Sequence, residues 1–351
     1  MTAQATAPAP APAPGSAAEQ FAQRQQSPLQ RVQHLLHAHP AISPAAVLVL
    51  AVIVFGVINP RFIEPRSLSL LLQQFAVVGL LAVGQTLVIL TAGIDLSVGA
   101  ICILATMVMA KLAQTPHAKL PGILALAVGI ALGGLAGAAN GTLVTRLNLP
   151  PFIVTLGTLS IFTALGLLLS GGQAIQGTSL PGLINFTGND ITVGPFHLTM
   201  GVLMVLVIYA IVGFALSQTI WGRHVYAVGD DIEAARLSGI SVNRVLFSVY
   251  TVAGIIFGLG AWILIGRAGS ADPNSLTDAN LESITAVVIG GTSLFGGRGA
   301  VLGTLLGALI TRVFASGLSI ANVNDQWRIL AIGVLVIAAV SVDQWIRKVK
   351  A

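Results

Sequence analysis

About ten apolar runs, most of them near the length that crosses a bilayer, follow one another along this chain. A hydrocarbon core of about 30 Å takes about 20 apolar residues per helix. Runs of that kind lie near 44–58, 68–90, 96–110, 122–144, 152–169, 198–217, 245–266, 281–294, 301–318 and 329–345. Helices that satisfy their own backbone are the economical way to carry such runs through lipid. The fold class is therefore an all-α polytopic membrane protein of about ten transmembrane helices. Charged residues make up 8% of the chain, against about a quarter in soluble domains, which agrees with that class. The runs at 96–110 and 281–294 are short for a full crossing and adjoin glycine-rich segments, so a broken or re-entrant helix is expected at each.

The rest of the chain divides around this core. Residues 1–41 open with an APAPAPAPG tract and lack the basic start of a secretory leader, so they read as a disordered Ala/Pro-rich tail. His34, His37 and His39 sit just before the first span, where a solvated basic collar explains them better than a metal site. Residues 42–346 form the membrane domain, 218–244 its charged central loop, and 347–351 a basic end. The central loop carries Arg223, Arg236 and Arg244 and the end carries Arg347, Lys348 and Lys350. Basic loops favour the cytoplasmic side, so both are placed there, together with the amino terminus. Residues 171–197 contain no Lys or Arg and fall outside. The net charge of +5 is thus a topology signal. With aromatics at 6% and no basic stacking surface, nucleic acid is not an expected partner. The one cysteine, Cys102, lies in an apolar run and reads as a small buried hydrophobe.

Residues 221–244, WGRHVYAVGDDIEAARLSGISVNR, are the longest strongly charged run. Asp230 reads as an N-cap, Glu233 as the capping-box partner three residues on, and Gly239 as a C-terminal stop. Ile232, Ala234, Ala235 and Leu237 leave an apolar surface on a helix too short to stand alone in water. Such a helix either lies at the membrane interface or sits in the groove of a cytoplasmic protein, and its charge and small apolar bulk favour the second. Asp231, Glu233, Ala234, Ala235, Arg236 and Gly239 are the candidate contacts.

Two ten-residue stretches echo each other about half a chain apart, TAGIDLSVGA at 91–100 and GTSLFGGRGA at 291–300, as duplicated halves of transporters do. Asp95 is acidic in an otherwise uncharged neighbourhood. It either caps the next helix with Ser97 or lines a translocation path; Asn140, Thr155 and Ser293 join it and Ser97 as path candidates. The second stretch has no GxxxxGK[ST] pattern, so the chain offers no phosphate loop. No catalytic or metal-binding set is expected, and no cofactor in this chain. If transport is active, the energy comes from a partner or from an ion gradient. Arg312 stands well inside a span, where snorkelling, an ion pair and an aqueous path all remain open.

GIDLSVGA, LPPFIVTLGTLSI, AVGDDIEAARLSGISVNRV, GRAGSADPN and ITAVVIGGTSLFGGRGAVLGT resemble, in order, the characteristic stretches of ribose/xylose-type permease subunits of ABC sugar importers. The similarity runs from about residue 68 to 347. It implies a subunit without enzymatic activity that moves a monosaccharide (ribose-, xylose-, galactose- or rhamnose-like) through the bacterial inner membrane by alternating access. It also implies three protein partners: a second permease copy, a cytoplasmic ATP-binding subunit holding ATP and Mg, and a periplasmic sugar-binding protein. The segment around Glu233, Ala234, Ala235 and Gly239 is similar to the loop by which such permeases engage the ATPase. The chain departs from the family pattern at 280–286, at Arg312 and at Arg328. The competing expectation is an ion-coupled secondary transporter with Asp95 as relay; a third is a membrane anchor without transport.

Overall fold

The structure, a computed structural model, describes residues 41–114 and 120–348. The expected tail, but for Ala41, therefore lies outside the described residues. Every expected span has its helix. In chain order these are α1 (Ile42–Ile58), α2 (Pro65–Leu90), α3 (Val98–Ala113), α4 (Gly122–Arg146) and α5 (Pro151–Ser170). A four-residue helix α6 (Gly182–Asn185) follows, then α7 (Met200–Gln218), α8 (Ile220–Asp230), α9 (Ile232–Leu237), α10 (Val242–Ala268), α11 (Ala279–Ile289), α12 (Val301–Ile320) and α13 (Asp325–Lys348). Among the described residues α2, α4, α5, α7, α10 and α12 are long and apolar enough to cross a membrane, and α1, α3 and α11 are apolar but shorter.

Helix α2 is the axis of the bundle. Its residues from Phe75 to Leu90 are buried on every side, because α10, α12, α11, α7 and α3 all pack on it. An apolar helix without a polar face belongs in such a position. Proline opens α2 and α5 at their first helical residues, where its missing N–H is no loss. Left-handed Gly171 and Gly269 close α5 and α10, each returning its N–H to a carbonyl four residues back, Leu167 and Ile265.

The tightest contact joins α4 to α10. Gly133, Gly137 and Gly141 recur every fourth residue along α4; the first two meet Gly254 and Gly258 of α10, and Gly141 meets Phe247 and Tyr250. A Cβ on Gly133 would stand 2.9 Å from Gly258 Cα, and one on Gly137 would stand 3.0 Å from Gly254 Cα while striking the carbonyl of Tyr250. Small residues at this spacing let two backbones touch, which is what holds helices together where lipid removes the hydrophobic drive. Helix α1 is peripheral: Phe55 packs edge-on to Phe314 and against Phe62, and much of its remaining surface is exposed.

The stretch at 171–197, expected as a plain loop, is structured. Strand β1 (Ile175–Gln176) pairs antiparallel with β4 (Ser270–Ala271), beyond the end of α10. Strands β2 (Asp190–Val193) and β3 (Phe196–Thr199) form a hairpin turned by Gly194, at φ +59°, and Pro195. The Ser69 hydroxyl accepts from His197 N–H at 3.0 Å, and Gln73 Nε2 donates to the His197 carbonyl at 3.0 Å. These bonds fix the hairpin to the first turns of α2. The bundle therefore has a hairpin end, where α2 begins, and an opposite end, where α2 stops and α8–α9 sit.

Candidate functional site: the α8–α9 segment and the loops it joins

The charged run at 221–244 folds as two helices. Thr219 opens α8, its hydroxyl accepting from Gly222 N–H at 3.1 Å. Val225 and Val228 are fully buried and hold α8 against the bundle. The Trp221 indole donates to the Ser248 hydroxyl of α10 at 2.8 Å. The expected N-cap, Asp230, is the last residue of α8; the cap of α9 is Asp231, whose Oδ1 accepts from the N–H groups of Glu233 at 2.9 Å and Ala234 at 3.0 Å. This one-residue shift takes Glu233 out of the capping-box position. Its carboxylate instead receives Arg236 Nη1 at 2.8 and 3.1 Å, an exposed pair of small energetic weight.

Gly239 stops the helix at φ +83°, with its N–H on the Arg236 carbonyl and that of Ile240 on the Ala235 carbonyl. Ala235 is turned inward. Asp231, Glu233, Ala234, Arg236 and Gly239 are exposed, and with them stand Ile232 at 40% and Leu237 at 88%. An almost fully exposed leucine on a well-capped two-turn helix is the apolar tip of this end. It was among the apolar residues of the sequence pattern, but periodicity alone does not tell which of them points outward.

Behind α9, the two echoing loops meet. Loop 91–97 leaves α2 through Ala92, held at φ +59°, with Gly93 N–H on the Val88 carbonyl. Loop 290–300 joins α11 to α12. Gly297 of the second loop donates its N–H to the Leu90 carbonyl at the end of α2, 3.0 Å away. Gly229 of α8 fits between them: a Cβ there would collide with the Leu90 carbonyl and stand 2.6 Å from Gly297 N. Gly296, at φ +85°, leaves only 2.8 Å from its own missing Cβ to Ala92 N, and Tyr226 of α8 donates its hydroxyl to the Gly299 carbonyl at 2.9 Å. One helix thus touches the end of α2 and the second loop backbone to backbone. A further bond, 2.7 Å between the buried hydroxyls of Thr86 and Thr304, links α2 to α12 beside this junction.

Four of the five path candidates come together around the start of α3. Asp95 Oδ1 accepts from the N–H of Ser97 at 2.7 Å and from its hydroxyl at 2.6 Å. Asn140 Nδ2 donates to the Ser97 hydroxyl at 2.9 Å, and the Thr155 hydroxyl donates to the Ile94 carbonyl at 3.0 Å. All four side chains are sealed from solvent. Asp95 Oδ2, Asn140 Oδ1 and the Tyr250 hydroxyl have no hydrogen-bond partner in the protein, and the Tyr250 hydroxyl crowds Gly93. Tyr250 escaped the sequence reading because its ring lies far along the chain, on α10. Ser293 is elsewhere: its N–H donates to the Arg298 carbonyl and its hydroxyl accepts from Phe295 N–H, closing the second loop. Arg312 pairs with Glu282 of α11 at 2.5 Å. Among the described residues no group of His, Cys, Asp and Glu could hold a metal ion.

The helical bundle, with six helices long and apolar enough to cross a membrane among the described residues, is that of a multi-pass membrane protein. Residues 67–340 match the family model described as "Branched-chain amino acid transport system / permease component", and the chain belongs to that family. It is a transport subunit, not an enzyme. It is 48% identical to the fructose import permease protein FrcC of Rhizobium meliloti over 92% of this chain and 90% of that protein. It is 36% identical to the ribose import permease protein RbsC of Bacillus subtilis, over 86% of this chain and 92% of the relative. The galactose/methyl galactoside import permease protein MglC of Escherichia coli is 33% identical over 85% and 91%. No solved structure matches.

Proposed function

We propose that this chain is the membrane-spanning subunit of an ABC importer that carries a monosaccharide into the cytoplasm by alternating access, driven by a separate ATP-binding subunit. The observation that carries the reading is α9, an exposed, capped, apolar-tipped helix whose neighbour α8 touches the end of α2 and the second glycine loop. A helix placed so is built to be gripped. Relatives named as fructose, ribose and galactoside import permeases support sugar as the cargo class. The α8–α9 end carries Arg223, Arg236 and Arg244, which supports the cytoplasmic side for it and for both chain termini; residues 171–197 at the hairpin end contain no Lys or Arg and support the outside for that end, with Arg61, Arg66 and Lys111 running against the bias. A second permease copy completes the pore, ATP and Mg belong to the ATPase, and a binding protein delivers sugar to the hairpin end of a bacterial inner-membrane assembly.

The test is reconstitution of the chain with its ATP-binding subunit in lipid. ATP hydrolysis should rise when sugar-loaded binding protein is added, and sugar should accumulate inside. Hydrolysis indifferent to the loaded binding protein would overturn the reading. A second reading, ion-coupled transport with Asp95 as relay, is favoured by one observation, the buried Asp95 oxygen that lacks a partner. It predicts uptake that persists without any ATPase and collapses with an uncoupler.

A further inference from the structure

The crossing between α10 and α12 is interrupted. Helix α10 ends at the hairpin end, where β4 pairs with β1, yet α11 does not begin there. Gly99, in the first turn of α3, would place a Cβ 3.0 Å from the Leu276 carbonyl and 3.4 Å from Ala279 Cβ. From Gly99 to the far end of α3 at Ala113 is about 21 Å at 1.5 Å per residue. That far end lies at the hairpin end: Leu112 accepts from Leu120 N–H, and Gly122, which opens α4, packs on Pro181. The chain from Ala271 to Ala279 therefore descends without helix to mid-depth, and α11 starts there.

This irregular stretch is polar and open. Asn274, Ser275, Thr277 and Asp278 are exposed. The turn is held from within: Asp272 Oδ1 accepts from Asn274 N–H at 2.8 Å, and the Ser275 hydroxyl donates to the Asp272 carbonyl at 2.9 Å. Glu282 follows in the first turn of α11, its side chain 37% exposed and paired with the mostly buried Arg312. Arg312 itself stands about 16 Å from the start of α12 at 1.5 Å per residue, so the pair is also at mid-depth. Non-helical backbone and ionised side chains at that depth are tolerated only inside protein or along water. The exposure of Asn274, Ser275, Thr277 and Asp278 and the partial exposure of Glu282 rule out the first for the chain alone, and lipid cannot take them.

We propose that Asn274, Ser275, Thr277, Asp278, Glu282 and Arg312 line the water-filled translocation path at mid-depth and hydrogen-bond the hydroxyls of the sugar in passage. The sugar half of this statement rests on the reading above. The chemistry fits a neutral polyol: each hydroxyl both donates and accepts, and the surface offers carboxylates, an amide, hydroxyls and a guanidinium side by side. Transporters place their substrate sites at such breaks in a membrane helix.

The experiment uses the full-length chain in membrane vesicles with its partner subunits, and a membrane-impermeant methanethiosulfonate reagent. Native Cys102 is buried and gives the background. Ser275→Cys should react about tenfold or more faster than Val207→Cys, which sits on an exposed apolar face of α7, because the reacting thiolate needs water. A transported sugar should slow the Ser275→Cys reaction. Asn274→Ala should lower the maximal uptake rate about fivefold, one hydrogen bond's worth, with the half-saturating sugar concentration unchanged because the delivering protein sets it. Equal reactivity at positions 275 and 207 would overturn the path assignment, leaving this face against lipid or a second copy. Labelling at 275 that no sugar affects, in vesicles whose wild-type chain accumulates fructose, ribose or galactose, would overturn the sugar contact. Labelling at 275 with no sugar accumulated by the wild type would sink the sugar-importer reading and leave the aqueous path standing.

Discussion

Leu237→Ala separates docking from folding. At 88% exposure the side chain gives the isolated subunit almost nothing, so its truncation should leave the thermal midpoint in detergent close to that of the parent, as for surface changes generally. At an interface the same truncation removes three carbons. At about 0.8 kcal/mol per buried CH₂ the loss is about 2.4 kcal/mol, or about 50-fold in dissociation constant. The assay is titration of the ATP-binding subunit onto the permease in lipid nanodiscs, read as binding and as ATP hydrolysis stimulated by loaded binding protein. Leu237→Met, which keeps the apolar volume, should stay near the parent. An unchanged dissociation constant for Leu237→Ala would refute the claim that this end of α9 is buried by the ATPase.

Gly229→Ala should leave ATPase binding intact but abolish most uptake, because its methyl group displaces α8 from the Leu90 carbonyl and Gly297; normal uptake at normal membrane abundance would count against the junction. Gly137→Ala forces α4 away from α10 and should cost about 1–3 kcal/mol in a detergent unfolding series, whereas Gly157→Ala, with nothing within 4 Å, should be silent. Asp95→Asn should reduce uptake more than membrane abundance if the acid serves transport, and both equally if it only holds the start of α3. Glu282→Gln strands the mostly buried Arg312 guanidinium and should destabilise more than the Arg312→Met, Glu282→Gln double variant; additive losses would show that the pair is not coupled.

The sequence was most readable where one physical rule acted alone. Length and hydropathy located the spans, since lipid demands about 20 apolar residues whatever the neighbours are. The shortness of 96–110 and 281–294 likewise announced α3 and α11, which have 16 and 11 residues. The cap of α9 was missed by one residue because Asp230 and Asp231 are chemically equivalent candidates. Only the inward docking of Val228 and Gly229, a tertiary effect, extends α8 through Asp230. The hairpin at 190–199 was passed over because a loop noted only for its lack of Lys and Arg carries no strong alternation. The α4–α10 seam went unread, because glycines every fourth residue along α4 do not name a partner helix until the fold brings α10 against them.

The two echoing loops show why similarity in sequence and importance in structure come apart here. Their residue identities are few, and their glycines serve different ends. Gly93 makes room for the Tyr250 hydroxyl, while Gly296 and Gly297 allow the second loop to reach Ala92, Leu90 and Asp230. What they share is a meeting place under α8. Because Gly229 meets Leu90 and Gly297 through backbone atoms, no flexible side chain lies between to absorb a displacement. A shift of α8 must therefore be taken up by the end of α2 and the second loop, or it must break the bonds to the Leu90 and Gly299 carbonyls. Glu233 and Arg236 draw the eye as charged residues, but they lie exposed on the surface of α9 and make only a local pair. Gly229 is the position where coupling can be severed while the bundle, whose core along α2 does not depend on it, stays folded.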